Sequence, residues 1–328
     1  MLLPSTSHGV EAGFGTDARA SVRRSRRLVG VSDSVDTEPA THSIIVEPLL
    51  AWGMPRLRDL PWRNTRDRWA VLVSEVMAQQ TQVTRVIPKY LAFMREYPTP
   101  TACANAPLAD LLTLWSGLGY PRRCKNLHDA ALSMVQLHDG CVPGSLDALL
   151  ALPGVGPYTA RAVLAFADSH DVAVVDTNVA RVLARVTNQP LSARASQELA
   201  DRVLPRGLAW EWNQALMDFG AQMCTARNPR CDECPIRLHC SWNGGSCNVG
   251  SDPARASALT SKPQARFEGS DRQARGVLMK TLAERGVKQE EVVRVMNLNG
   301  DTSRATRLLE SLVRDGLVVV HDGWCRLP

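Results

Sequence analysis

The chain of 328 residues reads as an all-α protein with a small, separate module at its C-terminal end, and three observations predict this. From about Ile44 to Cys240 apolar residues recur at spacings of three and four, broken by Pro and Gly in "EYPTPTACANAP", "HDGCVPGS" and "LPGVGP", and only "DVAVV" resembles a strand. Residues 241–270, "SWNGGSCNVGSDPARASALTSKPQARFEGS", are turn-rich and uneven. The amphipathic segments "DRQARGVLMKTLAE", "KQEEVVRVM" and "TSRATRLLESLVRDG" follow, and "LVVVHDGWCRLP" then offers two short strands joined across Asp322-Gly323.

Taken in order, residues 1–45 are rich in Ser, Gly, Thr and charge, carry "RASVRRSRR" and lack periodicity, so they are expected to form a disordered basic arm. Residues 46–240 form the helical domain, 241–270 a linker, and 271–328 three helices closed by a hairpin, the pattern of a winged-helix-like module. A packing or partner-binding role without DNA fits that last pattern equally well. No apolar run approaches the roughly 18 residues of a membrane span, so no membrane partner is expected. The net charge of +5 permits a polyanionic partner, and only the arrangement of residues can identify one.

Four features carry chemistry. In "LPGVGPYTARAVLAF" a tight turn at Gly154 and Gly156 feeds a helix N-terminus, where backbone N–H groups and the helix dipole favour an anion. It is neither a Walker loop, since no Gly-Lys-Ser/Thr follows, nor a dinucleotide fingerprint, since Thr159 stands at the third glycine. An αα turn without a ligand is the bland alternative. In "AVLVSEVMAQQTQV", Glu75 shares a helix face with Val71, Leu72, Ala78 and Gln79, so desolvation is expected to raise its pKa, unless it pairs with Arg63 or Arg66. In "DVAVVDTNVARVLARV", Asp176 competes with Thr177 and Asn178 for the cap of a helix beginning near Val179. Backbone N–H donors there are expected to lower its pKa and hold it ionised. One carboxyl that keeps its proton beside one that stays charged is the split required to cleave a bond through an oxocarbenium-like state.

The fourth feature is "CTARNPRCDECPIRLHC". Nine cysteines, four of them within seventeen residues, in a chain without a secretory signal argue for a reducing compartment and a metal site rather than disulfides. Cys224, Cys231, Cys234 and Cys240 can enclose one centre, either zinc or an iron–sulfur cluster. Arg227, Arg230 and Arg237 decorate this loop, as a knuckle offered to phosphates would be.

In this order and spacing, "LPWR", "SEVMAQQTQVTRVIPKY", "LWSGLGY", "LPGVGPYTA", "VVDTNVARV", "MDFGAQMC" and the four-cysteine loop resemble the helix-hairpin-helix DNA glycosylase superfamily, most closely the MutY-type adenine DNA glycosylases, from about Leu60 to Cys240. The resemblance implies a two-lobed all-α fold with DNA bent across the groove and the target adenine flipped into a pocket. It implies that Glu75 protonates adenine N7, that Asp176 stabilises the charge developing on the sugar, and that Tyr158 and Asn178 support sugar and aspartate. It further implies an adenine pocket including Trp62 and Arg63, a wedge of Gln80, Leu118 and Tyr120 around the opposite guanine, a DNA phosphate at Gly154, Gly156 and Thr159, and a [4Fe–4S] cluster on the four cysteines. Strand-cutting relatives carry a lysine where this chain has Tyr158, so hydrolytic, monofunctional excision is expected.

Two departures stand out. The 88 residues after Cys240 are too few and too helical for the nudix-like domain of long members, and Pro121 replaces a frequent tyrosine. The resulting expectation is a monomeric bacterial enzyme, cytoplasmic and nucleoid-associated, acting on duplex DNA at A·8-oxoguanine or A·G mispairs. The alternatives are a thymine or uracil mismatch glycosylase and, further off, a non-enzymatic metal-bearing DNA-binding protein.

Overall fold

The computed structural model describes residues 44–245, 252–260 and 266–328. The expected basic arm lies outside the described residues except at its end, where Ile45 is buried in the core and so belongs to the fold. The helices of the first domain are α1 (Val46–Gly53), α2 (Arg68–Ala78), α3 (Val83–Glu96), α4 (Pro100–Ala104), α5 (Leu108–Trp115), α6 (Arg122–Leu137), α7 (Leu146–Leu150), α8 (Pro157–Phe166), α9 (Thr177–Thr187), α10 (Ala193–Val203) and α11 (Ala209–Gln222). Among the described residues no helix is long and apolar enough to cross a membrane.

Packing brings five of these helices together. Helix α2 lies against α8, α8 also meets α11, and α11 packs on α1 and α9. The crossing of α1 and α11 is close because Gly53 has no side chain: a Cβ there would stand 2.6 Å from that of Ala215. Trp69, Trp115, Trp212, Phe93 and Phe219 fill the interior, and apolar burial of this kind supplies the main stabilisation. Helix α2 starts on a side-chain cap, Asp67 accepting from the Ala70 amide at 2.7 Å.

The strand-like "DVAVV" forms no ladder. Its backbone is satisfied by side chains instead: Val174 N donates to Asn213 Oδ1 at 2.9 Å, and Asn213 Nδ2 donates to the Val172 carbonyl at 3.0 Å. With polar groups met this way and Ala173, Val174 and Val175 buried, the segment runs extended through the core without a partner strand.

The stretch expected to be a linker differs in one part. Residues 252–260 dock on the helical domain, where Asp252 is paired with the buried Arg185 at 2.6 Å and the Ala258 amide donates to the Leu191 carbonyl at 2.8 Å. An ion pair and a buried Pro253-Ala254 step outweigh its turn-rich composition.

The C-terminal residues form α12 (Asp271–Leu282), β1 (Val287–Lys288), α13 (Val292–Val295), α14 (Thr302–Arg314), β2 (Val319–His321) and β3 (Trp324–Arg326). The anticipated hairpin is present, with Asp322 and Gly323 at φ 49° and 72° as a tight primed turn requires. A further strand, β1, pairs antiparallel with β3 to give the order β1-β3-β2. Two residues are too short for any alternation to reveal such a strand in advance.

Candidate active site

Glu75 on α2, Tyr158 in the first turn of α8 and Asp176 at the start of α9 meet where these helices converge, each buried on most sides yet partly open. The Tyr158 hydroxyl donates to the Glu75 carboxyl. Burial raises the Glu75 pKa from 4.5 to about 7, the nearby Asp176 carboxyl adds to the rise, and Tyr158 and Arg63 offset only part of it. Arg66 does not pair with Glu75; it stacks on Trp210 at 4.6 Å and donates to the Phe166 carbonyl. Burial also lifts Tyr158 well above the usual phenol range, so this hydroxyl stays neutral.

Asp176 is the cap of α9. Its Oδ1 accepts from the amides of Asn178 at 2.8 Å and Val179 at 2.7 Å, and its Oδ2 accepts from Asn178 Nδ2 at 2.7 Å. The expected lowering of its pKa is corrected here: burial raises it, and the three hydrogen bonds and Arg181 only moderate that rise. Glu75 receives fewer such counterweights, so it is the carboxyl of the pair that keeps the proton.

Arg181, which spacing did not single out, extends this network. Its Nη2 donates to Asn178 Oδ1 at 2.9 Å and its Nε to the Cys224 carbonyl at 2.9 Å, so one side chain joins the support of Asp176 to the cysteine loop. A signal was present: Arg181 and Arg185 lie four apart in the otherwise apolar face of "NVARVLARV", and buried arginines need built partners. Gly220 on α11 permits the approach, since a Cβ there would stand 2.7 Å from Asn178 Cβ and 3.0 Å from its carbonyl oxygen. Gly220→Ala is therefore expected to displace the start of α9 and cost about 1–3 kcal/mol of stability, as calorimetric melting would register.

The other expected residues divide. Trp62 is partly buried and meets Tyr90 edge-on at 5.3 Å. Arg63 is held rather than poised: it donates to Gln214 Oε1 at 2.7 Å and to both oxygens of the fully buried Asp218, which Arg58 also clamps. These bonds hold the Asp218 carboxyl below its usual range despite burial. Gln80, just after α2, and Tyr120, just before α6, both have left-handed backbone, φ 54° and 49°, and the two turns meet where Thr81 Oγ1 donates to the Leu118 carbonyl at 3.0 Å. Leu118, expected beside them, is only 4% exposed and turns into the core. Arg123 ties these turns together, donating to the carbonyls of Val76, Met77 and Gln79 and to those of Leu118 and Gly119.

At the hairpin, α8 begins at Pro157 with Gly156 as its cap. Gly154 has φ +75°, and a Cβ there would press within 2.6 Å of Asn126, whereas a Cβ on Gly156 would meet nothing within 4 Å. That open side and the unpaired first-turn N–H groups leave room for a phosphate oxygen. Thr159 differs from expectation in its side chain, which is buried and accepts weakly from Gln79 Nε2 at 3.4 Å, so only its main chain faces the turn.

Cys224, Cys231, Cys234 and Cys240 carry free thiols that act electrostatically on one another. The donor set fits a cluster. Main-chain amides of Trp242 and Asn243 donate to Cys240, that of Ile236 donates to Cys234, and Arg185 Nη1 lies 3.3 Å from Cys224 Sγ. Such N–H donors and a fixed cation favour thiolates bound to iron.

Comparison with known proteins identifies related chains. Residues 73–205 match the model of the HhH-GPD superfamily of base excision DNA repair proteins, and residues 224–240 match the iron–sulfur binding domain of endonuclease III. The chain is 41% identical over 281 residues to the adenine DNA glycosylase of Mycolicibacterium smegmatis, covering 84% of this chain and 93% of that one. It is 44% identical over 291 residues to the adenine DNA glycosylase of Mycobacterium tuberculosis, covering 85% and 92%. Among solved structures, a thermostable thymine-DNA glycosylase superposes with a TM-score of 0.59 at 30% identity, over 63% of this chain and 98% of that one.

Proposed function

This chain belongs to the adenine DNA glycosylases within the HhH-GPD superfamily of base excision DNA repair proteins, binding a [4Fe–4S] cluster, and on that premise we propose that it removes adenine mispaired with 8-oxoguanine or guanine from duplex DNA by hydrolysis, without cutting the strand. The observation that carries this reading is the Glu75–Tyr158–Asp176 convergence, an acid that burial lifts to about 7 beside a carboxyl group held by three hydrogen bonds. Glu75 gives its proton to adenine N7, and the glycosidic bond breaks with its electrons leaving on the base. Asp176 faces the resulting sugar cation, with Asn178 holding it in place. Water adds to the sugar and its proton restores Glu75. Tyr158, unlike a lysine amine, forms no Schiff base with the sugar.

The remaining roles follow the same reading. Trp62 lines the adenine pocket and Arg63 acts on Glu75 by charge. Gln80, Leu118 and Tyr120 face the opposite base, which for Leu118 means leaving the core when DNA binds. The hairpin of Gly154, Gly156 and Thr159 holds a DNA phosphate through main-chain N–H groups. The four cysteines would hold the cluster, which would tie residues 224–240 into one unit. Residues 271–328 act as a winged-helix-like module. The protein works as a monomer on nucleoid DNA in the bacterial cytoplasm.

Single-turnover excision on duplexes bearing A·8-oxoguanine, A·G, T·G and U·G tests the proposal. Release of adenine from the first two alone is expected. Preferential release of thymine or uracil would support the alternative that the similarity to a thymine-DNA glycosylase raises. Borohydride is expected to trap almost none of the enzyme on adenine-containing duplex, and trapping of most of it would overturn the monofunctional reading.

A further inference from the structure

The turn that precedes α6 is gripped from two sides. Gly117, Gly119 and Tyr120 all have positive φ, at 95°, 73° and 49°, and a tyrosine rarely adopts that backbone without support. From below, Arg123 binds the Leu118 and Gly119 carbonyls and places its guanidinium 5.4 Å from the centre of the Tyr120 ring. From above comes the C-terminal module, where Arg272 Nη1 donates to the Tyr120 hydroxyl oxygen at 3.3 Å.

Arg272 lies in the first turn of α12, the end of a helix where the dipole disfavours a cation, so intrinsic helix preference does not explain an arginine there. Its guanidinium lies 5.3 Å from the ring of Phe267. The module is also fastened beside this contact. Asp315 accepts from Arg275 at 2.7 Å and pairs with Arg122, at the start of α6, at 3.5 Å. Gly316, at φ +68°, makes room for Lys125 of α6, whose Cε would stand 2.9 Å from any Cβ at that position.

We propose that Arg272 is a positioning residue through which the C-terminal module sets the pose of Tyr120 and thereby the enzyme's discrimination between bases opposite the target adenine. The proposal rests on the reading of Gln80, Leu118 and Tyr120 as the face turned to that base. A hydroxyl oxygen that accepts from Arg272 directs its own proton away from the module, so Tyr120 presents a donor with a fixed direction. Purines that differ in their acceptors are told apart by a donor held in this way. The module thus takes part in recognition through the Arg272–Tyr120 hydrogen bond, with no requirement that its own helix enter a groove. Arg304 and Arg307 of α14, which a winged helix would turn to DNA, are both paired with Asp271.

The test compares single-turnover rate constants for adenine opposite 8-oxoguanine and opposite guanine in the full-length protein, its Arg272→Ala, Arg272→Lys and Tyr120→Phe variants, and the double variant Arg272→Ala/Tyr120→Phe. The two single losses are expected to change the ratio of the two rate constants by about three- to tenfold in the same direction, because Arg272→Ala frees the direction of the Tyr120 donor and Tyr120→Phe removes that donor. The double variant is expected to match Tyr120→Phe within about twofold, and Arg272→Lys to recover part of the ratio. Arg294→Ala, on an exposed part of the module, is expected to leave the ratio unchanged. A ratio in Arg272→Ala within about twofold of the parent overturns the proposal, as do effects of Arg272→Ala and Tyr120→Phe that multiply in the double variant. Should Arg272→Ala fail to fold, a Tyr120→Phe ratio equal to the parent's also overturns it. A parent protein that releases adenine from neither duplex would sink the mispair reading itself, which separates the two failures.

Discussion

Replacing Glu75 with glutamine is expected to lower adenine excision by about 10²- to 10⁴-fold while making the folded protein more stable near pH 8. The two effects share one cause. Burial lifts this carboxyl from 4.5 to about 7, which keeps a proton available for the base and also makes the ionised form expensive to hold in the folded state. Below the unfolded pKa the side chain is protonated in both states and contributes no difference. As pH rises toward about 7 the unfolded chain ionises first, so the folded state loses up to about 3 kcal/mol by the time the folded group has titrated. Glutamine escapes that loss. Thermal melting of Glu75→Gln should therefore exceed the parent's near pH 8 and converge with it near pH 4, while single-turnover rates stay depressed throughout. A variant equal to the parent in rate removes Glu75 from the chemistry, and an advantage in stability that persists near pH 4 removes burial of its charge as the cause.

The parent's own rate constant should fall as pH rises through about 7, since it is the protonated acid that reacts. Asp176→Asn is expected to cost on the order of 10³-fold in excision, because a neutral amide cannot offset the positive charge developing on the sugar. Asparagine is as good a helix cap as aspartate, so α9 should retain its start and the loss should be one of charge. Removing this anion also removes part of what raises Glu75. The residual activity of Asp176→Asn should accordingly lose its alkaline limb at lower pH than the parent. Single-turnover pH profiles of both proteins check this, and a limb that stays in place would mean that the two carboxyls do not interact.

How much was legible beforehand depended on whether the cause was local. The spacing of Glu75 against Val71, Leu72 and Gln79 already placed it on an apolar helix face, and the raised pKa followed. The cap at Asp176 was equally legible, because capping depends on two or three consecutive residues. The direction of its pKa was not, since the desolvation that wins comes from the other elements packed around it. Leu118 matched a wedge by motif yet lies inside the core. "DVAVV" looked like a strand because a buried extended segment and a strand share one hydrophobic pattern, and only the distant Asn213 and Asp201 showed where its amides go.

The sequence by itself determined the helical class, the four-cysteine loop, the glycine hairpin and the pair of carboxyls, since each is written in spacing along a few turns of chain. Only the tertiary structure decided that burial raises Asp176 as well, that Arg63 is committed to Asp218 on α11, that Arg181 joins the cysteine loop to Asp176, and that Arg272 reaches Tyr120 from 152 positions away. The physical reason is range. Backbone preference acts over neighbouring residues, whereas desolvation and the pairing of buried charge depend on whatever surfaces folding brings against a side chain.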